Sequence, residues 1–233
     1  MSIEDMQGRF NINNIFDVKK GKPREALMKA FQVLLQENGV PAGFSHSVMD
    51  WIDPDDEVYQ NGAESTYYLS LDPPYRAGNK LLVDSSELLA MKMEDADKSA
   101  DKAEKLKNLF FYTAALPTPT AINVNTASAE VLRAAGVPAG QVDVLMNYRE
   151  TKPITDKSAL KTGVPGLSLT AETQGLLGVE SNYFRLYGQV RLGKSRLFLN
   201  SLLFRSPKGE VHVIMRKFSR VARPKPKTTV FSG

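Results

Sequence analysis

Six carboxylates, Asp50, Asp53, Asp55, Asp56, Glu57 and Glu64, fall within fifteen residues that contain no lysine or arginine. Like charges this close raise the electrostatic cost of folding the segment unless water or a hard cation relieves it, and calcium takes carboxylate oxygens of this kind. Counted from Asp53, the residues Asp53, Asp55, Glu57 and Glu64 stand at positions 1, 3, 5 and 12 of an EF-hand-like loop, with Glu64 able to bind through both oxygens. The fit to that loop is incomplete. Val58 occupies the place where it needs glycine, and Pro54 separates the first two carboxylates. Asp53, Asp55 and Glu64 are the candidate calcium ligands, and a hydrated acidic turn is the other reading of the same residues.

The rest of the chain offers little chemistry. Its two histidines, His46 and His212, lie far apart with no carboxylate at ligand spacing, and no glycine-rich phosphate loop or nucleophile elbow occurs. Serines and threonines without a nearby base carry no signal for nucleophilic catalysis. The absence of cysteine excludes disulfides, thiol nucleophiles and zinc-thiolate sites, and leaves the redox compartment open. The expectation is that this is not an enzyme.

Charge points the same way for polyanion partners. The net charge of +4 comes from the C-terminal end, where Arg216, Lys217, Arg220, Arg223, Lys225 and Lys227 lie; without those six, 24 basic residues face 26 acidic ones. No broad basic field is left for nucleic acid.

The acidic loop must be carried by the elements around it. Leu27, Phe31, Leu34 and Leu35 recur at helical spacing behind Pro23 and stop at Gly39, and Ser45 to Ile52 reads as a short helix entering the loop. Asp72-Pro73-Pro74 must be non-helical, and Asp84 with Glu87 resembles a capping box. The charge-dense stretch Glu94 to Lys107 reads as a solvated surface leading into a helix through Leu109 and Phe110. Thr126 is placed to cap a helix over Ala127 to Ala135, Gly136-Val137-Pro138 turns the chain, and Gln141 to Arg149 returns as a second helix.

That pair reads as a helix-hairpin-helix unit of the SAM-like kind, in which hairpin amides and nearby lysines hold phosphates in DNA-binding examples. Here residues 122 to 161 set Arg133, Arg149, Lys152, Lys157 and Lys161 against Glu130, Asp143, Glu150 and Asp156, and the hairpin Gly136 to Gly140 has no basic residue. Near-neutral charge favours a packing role over phosphate binding. A nucleic-acid-binding module remains the alternative function.

At both ends the period changes from 3.6 to 2. Phe10 and Ile12 alternate with polar neighbours between Gln7 and Ile15, which predicts a short strand. Phe184, Leu186, Val190 and Leu192 alternate with Tyr183, Arg185, Tyr187, Gln189 and Arg191, followed by turns at Gly193-Lys194 and at Ser206 to Gly209. Three strands joined by two hairpins make an antiparallel meander, which is marginal alone and is expected to pair with the N-terminal strand.

The order of motifs adds a resemblance. Gln7 to Asn14, Asp50-Trp51-Ile52-Asp53, Gly62-Ala63-Glu64 with Tyr67-Tyr68, Pro73-Pro74-Tyr75-Arg76 with Asn79, Ser86-Glu87-Leu88, Ile122 to Ala127 and Ser181-Asn182-Tyr183-Phe184 follow one another as in the minor pseudopilin K family of type II secretion. The chain resembles that family from Gln7 to about Phe218. The resemblance implies a pilin fold with a large helical insertion and a membrane-spanning N-terminal helix behind a prepilin cleavage site. It further implies a place at the tip of the periplasmic pseudopilus with two other minor pseudopilins. The family is also associated with calcium in its helical domain, and contact with secreted cargo is left open.

No apolar run here approaches the roughly 18 residues of a membrane helix, so the chain is expected to be the periplasmic ectodomain of an inner-membrane-anchored protein whose N-terminal segment is absent from it. The expected architecture is α+β: a pilin-like first strand in residues 1–22, a helical insertion over 23–182, the pilin-like meander over 183–221, and a disordered tail over 222–233.

Overall fold

A computed structural model describes residues 1–94, 99–193 and 195–219, so the tail expected over 222–233 lies outside the described residues. The chain divides into two units. One is Met1–Met6 with the described residues from Ser181 onward, and the other is Gln7–Glu180.

The first element, β1 (Ser2–Asp5), belongs to the smaller unit, and everything from β2 (Phe10–Asn11) onward to Glu180 belongs to the larger. A single 3-10 turn, Ile12–Ile15, follows β2, and then β3 (Phe16–Asp17) pairs with β4 (Lys22–Pro23). Helices α1 (Glu25–Glu37), α2 (Phe44–Ile52) and α3 (Ser65–Leu69) precede a 3-10 helix at Ser85–Ala90 and the long helix α4 (Ser99–Tyr112). The unit is completed by β5 (Thr113–Ala114), β6 (Ile122–Asn123), α5 (Ala129–Ala134), α6 (Ala139–Thr151), α7 (Ala159–Thr162), α8 (Ala171–Leu176) and β7 (Leu177–Gly178). Its core gathers Phe10, Phe31, Leu34 and Leu35 with Phe44, Val48, Met49, Leu88, Leu106 and Leu145, all of them buried. Phe10 and Phe31 stack with ring centroids 5.5 Å apart.

Much of this unit is loop, and its backbone groups are satisfied by asparagine side chains. Asn13 Nδ2 donates to the carbonyls of Leu82 (2.9 Å) and Leu116 (3.0 Å), while its Oδ1 accepts from the Leu82 amide (2.8 Å). Asn14 exchanges bonds in the same way with Thr120, and Asn125 with Ile154. Asn11 donates to the Thr118 carbonyl and accepts from the Leu116 amide.

This network limits the strand predicted over Gln7 to Ile15 to the two residues of β2, Phe10–Asn11. Alternation needs the polar positions to face water, but Asn11, Asn13 and Asn14 are buried with their apolar neighbours, and from Ile12 the chain coils into a 3-10 turn. The strand that joins the meander is β1, so the N-terminal part of the smaller unit ends at Met6 and not at residue 22. The larger unit correspondingly runs 7–180 where 23–182 was expected.

Smaller differences have local causes. Pro23 lies in β4, and α1 starts after Arg24. Helix α5 is capped by Ser128, whose hydroxyl accepts from Val131 N, because Asn123 already ties up the amides of Asn125 and Ala127 in a turn ahead of it. The capping box of Asp84 and Glu87 is present but opens a 3-10 helix. In α4 not every charge is solvated: Lys102 is buried, donates to the Met91 carbonyl and lies over the Phe44 ring, and burial pushes its ammonium down to about 8.

The smaller unit is an antiparallel sheet of β8 (Tyr183–Leu192), β9 (Ser195–Arg205), β10 (Val211–Ser219) and β1 in the order β1-β8-β9-β10. The cross-strand pairs Ile3↔Leu186, Phe184↔Leu203, Val190↔Leu197, Val213↔Leu203 and Phe218↔Leu199 put these side chains on one face. Ile3 (62%), Val190 (63%), Val213 (49%) and Phe218 (62%) are nonetheless exposed. On the other face Tyr183 packs its ring against Phe204 with centroids 5.1 Å apart.

Replacing Asn13 with alanine tests the weight of the asparagine network. Three buried backbone groups lose their partners, so a loss of about 3 kcal/mol is expected at one to a few kcal/mol per orphaned group. Urea unfolding at unchanged slope measures it, and a loss under about 0.5 kcal/mol, the size of a surface substitution, contradicts the account.

Candidate functional site

Helix α2 delivers the chain to the acidic loop with its last turn buried. Asp50 is fully buried, and Asp53 caps the helix by donating its backbone N–H to the Met49 carbonyl. Asp50 Oδ1 accepts from Tyr59 N at 2.9 Å, which folds the middle of the loop back onto the helix. Asp55 Oδ1 accepts from the Glu57 amide at 2.9 Å in a tight turn. Asn79 donates from a neighbouring segment to the Asp55 carbonyl (3.0 Å) and to Asp56 Oδ1 (3.3 Å). The loop ends at Glu64, which opens α3 and is 2% exposed.

Asp53, Asp55 and Glu64 come together: each offers an oxygen, and these oxygens lie within 4.8 Å of one another. Glu57, which the positional count included, is exposed and outside the group. The count therefore is not realised as an EF-hand loop, in keeping with Val58 and Pro54.

The electrostatics are unfavourable as they stand. Asp50 Oδ2, Asp53 Oδ1 and both oxygens of Glu64 are buried without a hydrogen-bond partner. Burial, reinforced by the mutual repulsion of these groups, pushes the carboxyls up, Asp50 to about 6, Asp53 to about 7 and Glu64 to about 8. Lys92 is in hydrogen-bond contact with the loop: its ammonium donates to the carbonyls of Asn61 (3.3 Å) and Gly62 (3.1 Å) and lies over the Tyr67 ring. Among the described residues, the two non-glycine residues with positive φ are Gln60 (54°), on the loop, and Asn79 (45°), in contact with it. An all-oxygen, all-anionic donor set with orphaned oxygens fits a hard divalent cation and not zinc or copper.

Asp50 belongs to this cluster although it was not among the candidate ligands. Its place in the predicted helix Ser45 to Ile52, three residues before Asp53 at the helix end, was the available signal, since that spacing sets both carboxylates on one side.

The histidines form no such group. His46 sits edge-on to Tyr59 with ring centroids 5.7 Å apart and has its basicity lowered by burial, and the exposed His212 lies 3.7 Å from Glu210. In the α5 and α6 region the arginines are used internally. Arg149 donates to the carbonyls of Val124 and Ala127, both at 2.6 Å, and Arg133 pairs with Glu37 at 3.0 Å. Among the described residues, no helix is long and apolar enough to cross a membrane.

Comparison with known proteins places these observations. The family described as type II secretion system (T2SS), protein K, matches residues 8–107. Type II secretion system protein K of Pseudomonas aeruginosa is 32% identical over 233 residues, covering 97% of this chain and 66% of that protein. The Pectobacterium carotovorum protein is 29% identical, covering 93% and 68%, and the Aeromonas hydrophila protein is 27% identical, covering 92% and 69%. The chain thus spans about two thirds of the length of these relatives. A chain in the crystal structure of the GspK-GspI-GspJ complex from the enterotoxigenic Escherichia coli type 2 secretion system superposes with a TM-score of 0.75 at 25% identity, over 94% of this chain and 78% of that one. With a family match through the acidic loop and relatives aligned over nearly its whole length, this chain belongs to the type II secretion system protein K family.

Proposed function

We propose that this chain is the periplasmic part of an inner-membrane-anchored minor pseudopilin, which joins two other minor pseudopilins at the tip of the type II secretion pseudopilus. The observation that carries the reading is the likeness over 94% of the chain to a chain of the GspK-GspI-GspJ complex. The role is structural. A helical unit of residues 7–180 attached to a small sheet is too bulky for another subunit to stack above it, so the fibre grows only beneath.

The sheet supports a pilin-like reading. Its apolar face, lined by Ile3, Val190, Val213 and Phe218, suits the apolar side of the N-terminal helix that would also anchor the protein in the membrane. We read α5 and α6 as a helix-hairpin-helix unit that packs and does not bind nucleic acid, because Arg133 and Arg149 are already engaged within the fold.

Calcium is proposed at the acidic loop with Asp53, Asp55 and Glu64 as ligands. The buried oxygens without partners and the absence of nitrogen or sulfur donors support that metal class. A bound cation supplies the countercharge these carboxylates lack, and the protein supplies a loop pinned at Tyr59 and at Asp55.

Two outcomes are expected. Mixed with the ectodomains of its two partners, the protein forms a one-to-one-to-one complex, seen by size-exclusion chromatography with light scattering. Persistent monomers at tens of micromolar overturn the assembly reading.

The second outcome concerns stability. Calcium at 100 times its dissociation constant stabilises the fold by about 2.7 kcal/mol, so chelation lowers the melting temperature. For a carboxyl whose pKa is higher folded than unfolded, the folded state holds the proton more tightly; cation-free stability then falls as pH rises above the ordinary carboxylate range and levels off near 8. Calcium competes with those protons, so its affinity rises over the same window. A chelated melting temperature that does not change between pH 5 and 8, with no calcium shift, leaves only a hydrated acidic turn.

A further inference from the structure

We infer that Asp50 is a fourth carboxylate of the cation site, acting from the shell behind Asp53, Asp55 and Glu64, and that Gly62 is the residue that keeps its seat open. The inference rests on the calcium reading of the same loop.

Asp50 stands on α2 three residues before Asp53 and is fully buried. Its two oxygens do different things. Oδ1 accepts from Tyr59 N at 2.9 Å and holds the middle of the loop, while Oδ2 is buried with no partner. The Tyr59 bond by itself does not need this charge. An asparagine would accept the same Tyr59 bond through its own Oδ1 and spare the domain a buried anion, which is costly when unpaired. A carboxylate buried beside Asp53 and Glu64, where an amide could make the Tyr59 bond, points to a positive ligand.

Gly62 makes the arrangement sterically feasible. A Cβ at that position would lie 2.2 Å from Asp50 Oδ2, 2.7 Å from its Cγ and 2.8 Å from the carbonyl oxygen of His46. The last of these is helix backbone and cannot swing aside, so even one methyl group must push the loop away from α2. The same glycine's carbonyl accepts from Lys92, and Glu64 follows two residues later. Displacing Gly62 therefore moves a ligand as well as Asp50. Asp50 is a positioning residue in this scheme: it fixes the loop through Tyr59 and adds charge behind the coordinating oxygens. Outer-shell partners of this kind are worth about 10–100-fold in metal affinity.

The test is calcium calorimetry and thermal unfolding, with and without chelator, on the whole chain as wild type, Asp50→Asn and Gly62→Ala, with Asp53→Asn as the ligand control. Asp50→Asn is expected to weaken calcium binding about tenfold or more while the melting temperature in chelator holds or rises, because a repulsive buried charge has gone. A residue with only a structural role would move the two readouts the other way. Gly62→Ala is expected to weaken binding by a similar factor; should it fail to fold, Asp50→Asn decides alone. Calcium binding by Asp50→Asn within twofold of wild type, with Asp53→Asn impaired, overturns the role of Asp50 and leaves the calcium reading standing. If wild type itself binds no calcium at millimolar ion, the reading and this inference fall together.

Discussion

A loop that runs inside a domain must find partners for its backbone amides and carbonyls, because each one buried without a hydrogen bond costs about 1–3 kcal/mol. The larger unit meets this demand with asparagine. Asn13 reaches both Leu82 and Leu116, Asn14 reaches Thr120, and Asn125 joins Ile154 to Val179, so segments about thirty to a hundred residues apart are held as if by short pieces of sheet. A primary amide offers donors and an acceptor without charge, which lets it sit beside Phe10 and Ile12 in the core. The helices pack on this frame, and α2, which leads into the acidic loop, is tied to the 3-10 helix Ser85–Ala90 through Trp51, whose indole donates to Glu87 at 3.2 Å.

The acidic cluster is the opposite kind of buried polar group. Where the asparagines are satisfied by the chain, Asp53 and Glu64 are held close by tight turns with oxygens left over. Folding brings like charges together and removes the water that would screen them, a repulsion that protons or a cation would relieve. The same loop lies beside an aromatic group, Trp51, Tyr67, Tyr68 and Tyr75, in which Tyr68 is buried against its neighbours. Order in the loop and order in this cluster are thus linked through Trp51, which α2 carries one residue after Asp50.

The sheet unit has a different character. Four strands with few buried side chains bring little apolar burial of their own, and the exposed face of Ile3, Val190, Val213 and Phe218 is better suited to an interface than to water. The proposed assembly role divides the work between the two units accordingly: a helical unit with its own core, and a sheet that a partner would complete.

The sequence alone was sufficient for the features that rest on short-range physics. Helical spacing of Leu27, Phe31 and Leu34, the box of Asp84 and Glu87, and the alternation from Tyr183 to Leu192 are each set by residues a few positions apart, and each appears as an element. The gathering of Asp53, Asp55 and Glu64 was also legible, since a loop of that length returns on itself. Long-range pairing was decided only in the tertiary structure. Nothing between Gln7 and Ile15 reveals that its asparagines turn inward, because their partners at Leu82, Leu116 and Thr120 are remote; the strand pattern there was real in spacing and overruled by burial on both sides. The pairing of Ser2–Asp5 with β8, the burial of Asp50 and the space left by Gly62 likewise depend on segments meeting in three dimensions, where one-dimensional periodicity has no purchase.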